Sequence, residues 1–364
     1  MNCKPFRARE PTTLISSGVS TYSRDLYFVR HLLEYSMLEH KVCPICNSRF
    51  TIMRTSPLTL IIPMQSYDDA RHNDFYSNVL EHKPDFINIA HCNECSHLFI
   101  TPTYSLEECR RIYSGDHPTV VPHIEDYLRQ TGSDFFTEQR TLYGSDTEMQ
   151  VRTQQSCQDR PARIKEYVST FTPKDYIAKV ADVGGGDGNN IRLFTPGNLY
   201  VMDYNKSACT LSGIKQITHD DVAKYITFFD LVVSTHTLEH MPIPQVEVGR
   251  AASLCREGGY FYCEVPLQYL SVLKQCWKHK LKLKTLQLRL DYHIQFYTRC
   301  SLATLFSMLG FRVVVMSLSY ESYNYIRMPI IRALFQKTAC TYKFRKSKFF
   351  WEFIRDGAFV VRNR

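Results

Sequence analysis

The stretch that decides the fold is Val180–Asn190, VADVGGGDGNN. An apolar run from Tyr176 to Val183 leads straight into four glycines, and apolar character returns at Phe194, the pattern of a strand, a tight turn and a helix. Glycine lets the backbone approach a ligand closely because it carries no Cβ, so this is a nucleotide-type turn. The dinucleotide fingerprint needs Gly-x-Gly-x-x-Gly. Here the spaced glycines are Gly184, Gly186 and Gly188, and the position where that fingerprint wants its third glycine is Asn189. An acid, Asp182, stands two residues before the first of them. A glycine-rich hairpin in an ordinary α/β domain is the plainer alternative.

The segments after the turn continue an alternation of strands and helices. Asn198 to Asp203 reads as a second strand ending in an acid, Ile214 to Thr218 as a third, and Phe229 to Ser234 as a fully buried fourth by its continuous apolar run. Gln245 to Cys255 is expected to be a helix, Tyr260 to Pro266 the fifth strand, Ser301 to Leu309 a helix stopped by Gly310, and Phe311 to Leu318 the sixth strand. The run Gly357 to Arg362 is taken as strand seven, antiparallel to strand six, with residues 321–354 as a helical insertion between them. Residues 267–290 form a second insertion, read as a basic amphipathic helix with Leu270, Leu273, Trp277, Leu281 and Leu288 near one face and Lys274, Lys278 and Lys282 beside it.

Ahead of this lies Cys43-Pro-Ile-Cys46 and, after 45 intervening residues, Cys92-Asn-Glu-Cys95. Two Cys-x-x-Cys pairs present four thiolates through tight knuckles, and tetrahedral zinc is the usual occupant of an all-sulfur site. A closed four-sulfur site has no open position, so the expected role of Cys43, Cys46, Cys92 and Cys95 is to hold structural Zn2+. Two redox pairs, or four unrelated thiols, are the alternatives. After the second knuckle, Pro102 and Ser105 followed by Glu107 and Glu108 mark a helix start, and the helix should end near Tyr113. A further helix is expected from Thr21. The implied organisation is an N-terminal segment and helix (1–40), a ribbon (41–114), a linker with irregular helix (115–159) and an α/β domain (160–364).

Bulk properties narrow the class of protein. At 364 residues, 44% hydrophobic and 22% charged, the chain can bury a sizeable core and is neither disordered nor membrane-like in composition. No apolar run reaches the ~20 residues needed to span a bilayer. Most of the thirteen cysteines stand singly among apolar residues, as buried thiols do, and with no visible secretory signal the expected location is cytoplasmic. After residue 270, eighteen Lys and Arg face four acids, a net of +14 that leaves −6 for the rest. Such a patch can meet an anionic carrier, a membrane surface or nucleic acid, and charge alone does not choose.

Asp-x-Gly-x-Gly-x-Gly at the end of the first strand, with FDLVVSTHTLEHMPIP, REGGYFYCEVP and DYHIQFYTRCSLATLFSMLGFRV after it, resembles the class I S-adenosylmethionine (SAM) methyltransferases. CPIC and CNEC with TPTYSLEECRRIY look like the subgroup carrying an amino-terminal zinc ribbon, whose members commonly act on sugars. The resemblance covers roughly residues 41–318. It implies a Rossmann-like seven-stranded α/β sheet with an antiparallel strand seven, SAM as methyl donor, and a cradle made of Asp182, Gly184, Gly186 and Gly188. It also implies that Asp203 accepts from the ribose hydroxyls and that Asp220 or Asp221 faces the adenine amino group. The implied acceptor is a sugar, nucleotide-linked or part of a surface polysaccharide.

A hydroxyl acceptor, or a carbon next to a carbonyl, needs a base, and an imidazole with an ordinary pKa near ~6.5 suits that work at neutral pH. His236, after strand four, and His293 are the candidates; capping, cofactor packing or a core role are the alternatives. His240 is expected to cap or pack. Two other functions fit parts of the pattern. One is a zinc-ribbon RNA methyltransferase, against which the ribbon itself is not basic. The other is a non-catalytic assembly protein on the same fold, against which Asp182, the spaced glycines and Asp203 are all intact.

Overall fold

Two sheets carry the chain in the computed structural model, which describes residues 37–57, 86–113, 146–174, 176–205, 209, 211–280, 293–323, 326–338 and 358–360. The helix expected from Thr21, the basic segment Lys343 to Trp351, and the part of the 267–290 insertion beyond Lys280 lie outside the described residues.

The first sheet is built from β2 (Phe50–Pro57), β3 (Phe86–Cys92) and β4 (Leu98–Thr101), all antiparallel, while β1 (Met37–Leu38) pairs with β5 (Thr103–Tyr104). Both Cys-x-x-Cys turns have the same backbone. In each, the residue after the second cysteine is left-handed (Asn47 φ 57°, Ser96 φ 58°) and its N–H bonds the carbonyl of the first cysteine, at 3.0 and 2.9 Å. Next comes α1 (Leu106–Tyr113), whose start is a capping box: Ser105 Oγ accepts from Glu108 N–H, and the Glu108 carboxylate accepts from Ser105 N–H.

The α/β part opens with α2 (Asp146–Phe171), which begins well before Arg160, inside the stretch read as linker. Its Ile164 and Val168, four apart and fully buried, pack with Val180, Leu199 and Leu231 under the main sheet. That sheet then takes in turn β6 (Val180–Val183), β7 (Leu199–Met202), β8 (Ile214–Ile217) and β9 (Phe229–Thr235). After α3 (Pro244–Ser253) come β10 (Cys255–Pro266), α4 (Tyr269–Lys280), a short β11 (Gln295–Phe296), α5 (Arg299–Met308), β12 (Phe311–Tyr323), β13 (Ile326–Lys337) and β14 (Ala358–Val360). The order across the sheet is β14-β12-β13-β10-β9-β6-β7-β8. Pairings from β8 through β10 are parallel, and β13 runs antiparallel between β10 and β12. This is the Rossmann-like class I methyltransferase sheet, and the strand order reverses between β6 and β9, where an open α/β sheet leaves its ligand crevice.

Three expectations are corrected. The described part of the helical insertion expected over 321–354 is strand: Glu321 belongs to β12, and Ile326–Lys337 is the antiparallel seventh strand, while residues 339–354 lie outside the described residues. The run taken as strand seven instead supplies β14, an eighth strand on the outer edge of β12, paired as expected but in a different place. Third, no α-helix follows the glycine turn. Only a 3-10 turn (Asn189–Ile191) forms before β7 starts at Leu199, and Pro196 and Gly197, poor helix formers, fill the end of the connection.

The two sheets are joined by β11, which adds to the edge of β4 with Gln295 opposite Phe99. Side chains lock the joint. Gln295 bonds His97 Nε2 at 2.8 Å and donates to the Met241 carbonyl at 3.1 Å, and Gln245 donates to the Ile45 carbonyl at 2.8 Å. Segment 293–297 is thereby held against the loop after β9, which matters for the site.

Candidate active site

The glycine turn sits at the carboxyl end of β6. Gly184 N–H bonds the Met202 carbonyl at 2.8 Å, and a Cβ on Gly184 would meet Thr237 Cγ2 at 2.5 Å, so the turn can press against the loop after β9 only without a side chain. Gly186 has φ +53°, and a Cβ there would meet nothing within 4 Å. It faces open space, and that space is where a ligand would touch backbone. At the end of β7, Asp203 accepts from Gly186 N–H at 3.0 Å through Oδ2 and from Asn205 N–H at 2.9 Å through Oδ1. Each oxygen keeps a second lone pair for a ligand hydroxyl.

Asp182 lies behind this surface, fully buried. Asn190 donates to its Oδ2 at 3.0 Å and to Thr235 Oγ1 at 2.9 Å, while Oδ1 has no hydrogen bond. Burial pushes its carboxyl up to about 7, with Asn190 pulling the other way. Asp221 is turned away: it accepts from Thr218 Oγ1 at 2.8 Å and pairs with Lys224 at 2.6 Å, closing the cap of its own 3-10 turn. Asp220 is in the same turn, and its side chain lies outside the described residues.

Between these groups and the loop after β9 runs a cleft of about 770 Å3, its open mouth included. One side is Val183, Gly184, Met202 and Asp203; the other is His236, Thr237, His240 and Met241, and Tyr113 and Cys109 reach in from α1. That volume lies within the ~300–1,000 Å3 range of small-molecule sites. Gly186, Asp203 and the cleft therefore fit an adenosyl ligand by open backbone, available acceptors and size.

His236 has φ 51°, unusual for a residue with a side chain, and such backbone persists where the surroundings enforce it. Its N–H bonds the Glu264 carbonyl at 3.0 Å. Its ring is clamped, with Nε2 at 2.8 Å from Glu321 Oε2 and Nδ1 at 3.5 Å from Glu239 Oε1. Burial opposes a charge on this imidazole, but the carboxylates of Glu239 and Glu321 override it and raise its pKa to about 9. Glu321 is held in turn by Arg160 at 3.0 Å and Arg163 at 2.8 Å, both from α2.

His293 stands behind His240, ring centroids 4.9 Å apart. Its Nδ1 is 2.7 Å from Gln268 Oε1, and burial lowers its pKa to about 4. The two candidate histidines thus flank one buried carboxylate, Glu239, in opposite states. His240, expected to cap or pack, lines the cleft and bonds the Tyr113 hydroxyl through Nδ1 at 2.9 Å. Sequence reading had no signal for Glu239, Glu321, Arg160 or Gln268: each is a common polar residue, brought in from a separate element.

At the far side of the first sheet the four thiols converge. Cys43 Sγ is 3.6 Å from Cys95 Sγ, Cys46 Sγ is 3.5 Å from Cys92 Sγ, and all four lie within 4.8 Å of one another. A tetrahedral zinc ion at ~2.3 Å from each sulfur separates them by about 3.8 Å, so the cluster is compatible with zinc.

Residues 153–315 match the family model described as a methyltransferase domain. Among solved structures, the chain is similar to magnesium protoporphyrin IX methyltransferase from Synechocystis, crystallised with SAH (16% identity, 59% of this chain and 98% of that one, TM-score 0.37). It is also similar to a SAM-dependent methyltransferase of Methanosarcina mazei (13%, 47% and 97%, TM-score 0.37) and to the YcgJ protein of Bacillus subtilis (12%, 49% and 99%, TM-score 0.39). None of the three bears on substrate. A search of the curated proteins finds no match. Residues 153–315 thus carry a methyltransferase domain.

Proposed function

We propose that the enzyme transfers a methyl group from SAM to an oxygen of a sugar-type acceptor, a nucleotide-linked sugar or a glycan unit of polysaccharide biosynthesis, in the cytoplasm. The four cysteines hold a structural zinc ion in this reading. The observation that carries it is the cleft itself, with Gly184 and Asp203 on one wall and the His236 and His240 imidazoles on the other. A wall of imidazole, carboxylate and tyrosine suits a hydroxylated acceptor, because every hydroxyl buried there needs a partner. No helix among the described residues is long and apolar enough to cross a membrane.

When bound, SAM supplies a methyl group on a positively charged sulfur. Asp203 takes the ribose hydroxyls, and the backbone at Gly184 and Gly186 passes along the ligand without a side chain between them. The acceptor oxygen approaches from the His236 and His240 side, in line with the bond that breaks. Its proton passes to an imidazole. The route to His293, neutral and with Nδ1 turned to Gln268, runs through His240, which stands between it and the cleft; His236, with both ring nitrogens held by Glu239 and Glu321, fixes that wall of the cleft. The basic carboxyl-terminal region is suited to an anionic carrier or membrane surface on which such an acceptor is presented.

Label transfer from tritiated SAM to nucleotide sugars, lipid-linked glycans and total RNA tests the reading. Transfer to a sugar fraction, lost in His236→Ala and His293→Ala while SAM still binds, supports it. Label in RNA would replace the acceptor class, and loss of SAM binding in the wild-type protein would overturn the whole reading.

A further inference from the structure

Glu239 is fully buried, and neither of its carboxylate oxygens makes a hydrogen bond. A buried carboxylate with no donor is costly, and native proteins rarely keep one without a cation or a partner. Three imidazoles surround it instead. His236 Nδ1 is at 3.5 Å from Oε1, an ion-pair distance longer than a good hydrogen bond; His293 Nε2 is at 3.9 Å and His240 Nε2 at 4.0 Å from the same oxygen. One donor atom each from Glu239, His240 and His293 lies within 4.8 Å of the others.

The two outer histidines are oriented alike. His240 Nδ1 bonds the Tyr113 hydroxyl at 2.9 Å, and His293 Nδ1 bonds Gln268 Oε1 at 2.7 Å, so both rings turn Nε2 toward Glu239. Fixing one ring nitrogen with an outer partner while the other faces the ion is how metal-binding histidines are held. The backbone is fixed as well: Ile294 N–H bonds the Glu239 carbonyl at 3.0 Å, and Tyr297 Oη bonds the Leu238 carbonyl at 3.3 Å. Bonds of ~2.1 Å to one ion put adjacent donors about 3.0–3.4 Å apart, so closing this trio requires movements of under about 1 Å.

We propose that Glu239, His240 and His293 bind one divalent first-row transition ion at the wall of the cleft, and that its remaining positions take acceptor oxygens. Two nitrogens and a carboxylate on one side of an ion are the donor set of sites that keep positions open for substrate. His240 lines the cleft, so those positions face the space assigned to the acceptor. The inference rests on the methyltransferase reading above and deepens it. A vicinal diol or hydroxy-carboxylate acceptor binds as a chelate, and its hydroxyl ionises more readily on the ion, giving its proton to water in the cleft.

The test uses the full-length protein with its cysteines intact, stripped of weakly held metal and titrated calorimetrically with Mn2+ and with Co2+. One equivalent per chain is expected, weakened at least tenfold in Glu239→Gln and in His293→Ala, with a cobalt visible spectrum free of sulfur-to-metal bands. Glu239→Gln also removes a partner of His236, so the thermal midpoint of each stripped variant is measured first, and His293→Ala keeps the test informative should Glu239→Gln fold poorly. Absence of a binding equivalent, or equal affinity in both variants, overturns the site. Methyl transfer that persists in chelator-treated protein with no metal bound would sink the metal and leave the methyltransferase reading standing; failure of the stripped and the loaded protein alike to bind SAM would sink that reading.

Discussion

Asp203→Asn isolates what the end of β7 contributes to cofactor binding. The carboxylate already serves two backbone donors, Gly186 N–H at 3.0 Å and Asn205 N–H at 2.9 Å, one on each oxygen. Asparagine keeps the size but offers a single acceptor oxygen, and its amide then points donor to donor at one of those N–H groups. A ribose hydroxyl pair facing this residue loses one charged acceptor and finds an amide in its place. Hydrogen bonds to a charged group are worth about 1.5–3 kcal/mol each, so a net loss of about 2–3 kcal/mol, roughly 30- to 150-fold in affinity, is expected. Calorimetric titration with S-adenosylhomocysteine measures it, and the thermal midpoint confirms an intact fold. An affinity within threefold of wild type in a folded variant would refute the role of Asp203.

Three further outcomes are expected. Gly186→Val should abolish SAM binding, because a β-branched residue cannot hold φ +53° without moving the turn and its side chain would enter the open space beside the Asp203 carboxylate; binding within threefold of wild type would contradict the cradle. Asp182 is buried with its pKa raised to about 7, so the folded protein holds that proton more tightly than the unfolded chain. Its stabilising contribution is whole below about pH 4 and is lost as pH rises through 7, by roughly 4 kcal/mol at most. Urea denaturation of Asp182→Asn at pH 5 and pH 8 should show a smaller drop between the two than wild type, and an equal drop would count against it. Cys95→Ser should release the zinc and loosen the first sheet, read as loss of one equivalent of zinc by elemental analysis and faster proteolysis between residues 43 and 97; full retention of zinc would show that the four cysteines do not share it.

The parallel half of the main sheet was legible because β6, β7 and β9 are short apolar runs closed by a turn or an acid, and β8, Ile-Lys-Gln-Ile, falls between two turns. The carboxyl-terminal hairpin was not. The end of β12, Ser-Leu-Ser-Tyr-Glu-Ser-Tyr, is polar for a strand, and Met-Pro-Ile-Ile-Arg-Ala-Leu-Phe satisfies a helical period as well as a strand's, with Pro329 arguing against a central strand. Pro329 is tolerated because it falls just past the β10 ladder, which ends at the Pro266–Ile330 pair. Missing this hairpin also hid Glu321, which reaches His236 only because β12 runs on past Leu318. The cysteine knuckles were legible from spacing alone, since each is local. The meeting of Glu239 with His293 depends on β11 joining the edge of β4, a pairing across almost two hundred residues that no local pattern announces.

Calorimetric titration of the purified wild-type chain with S-adenosylhomocysteine tests the central claim most directly. One saturable site per chain, competed by SAM and lost in Gly186→Val, is the predicted result; a folded protein that binds neither ligand would contradict the account.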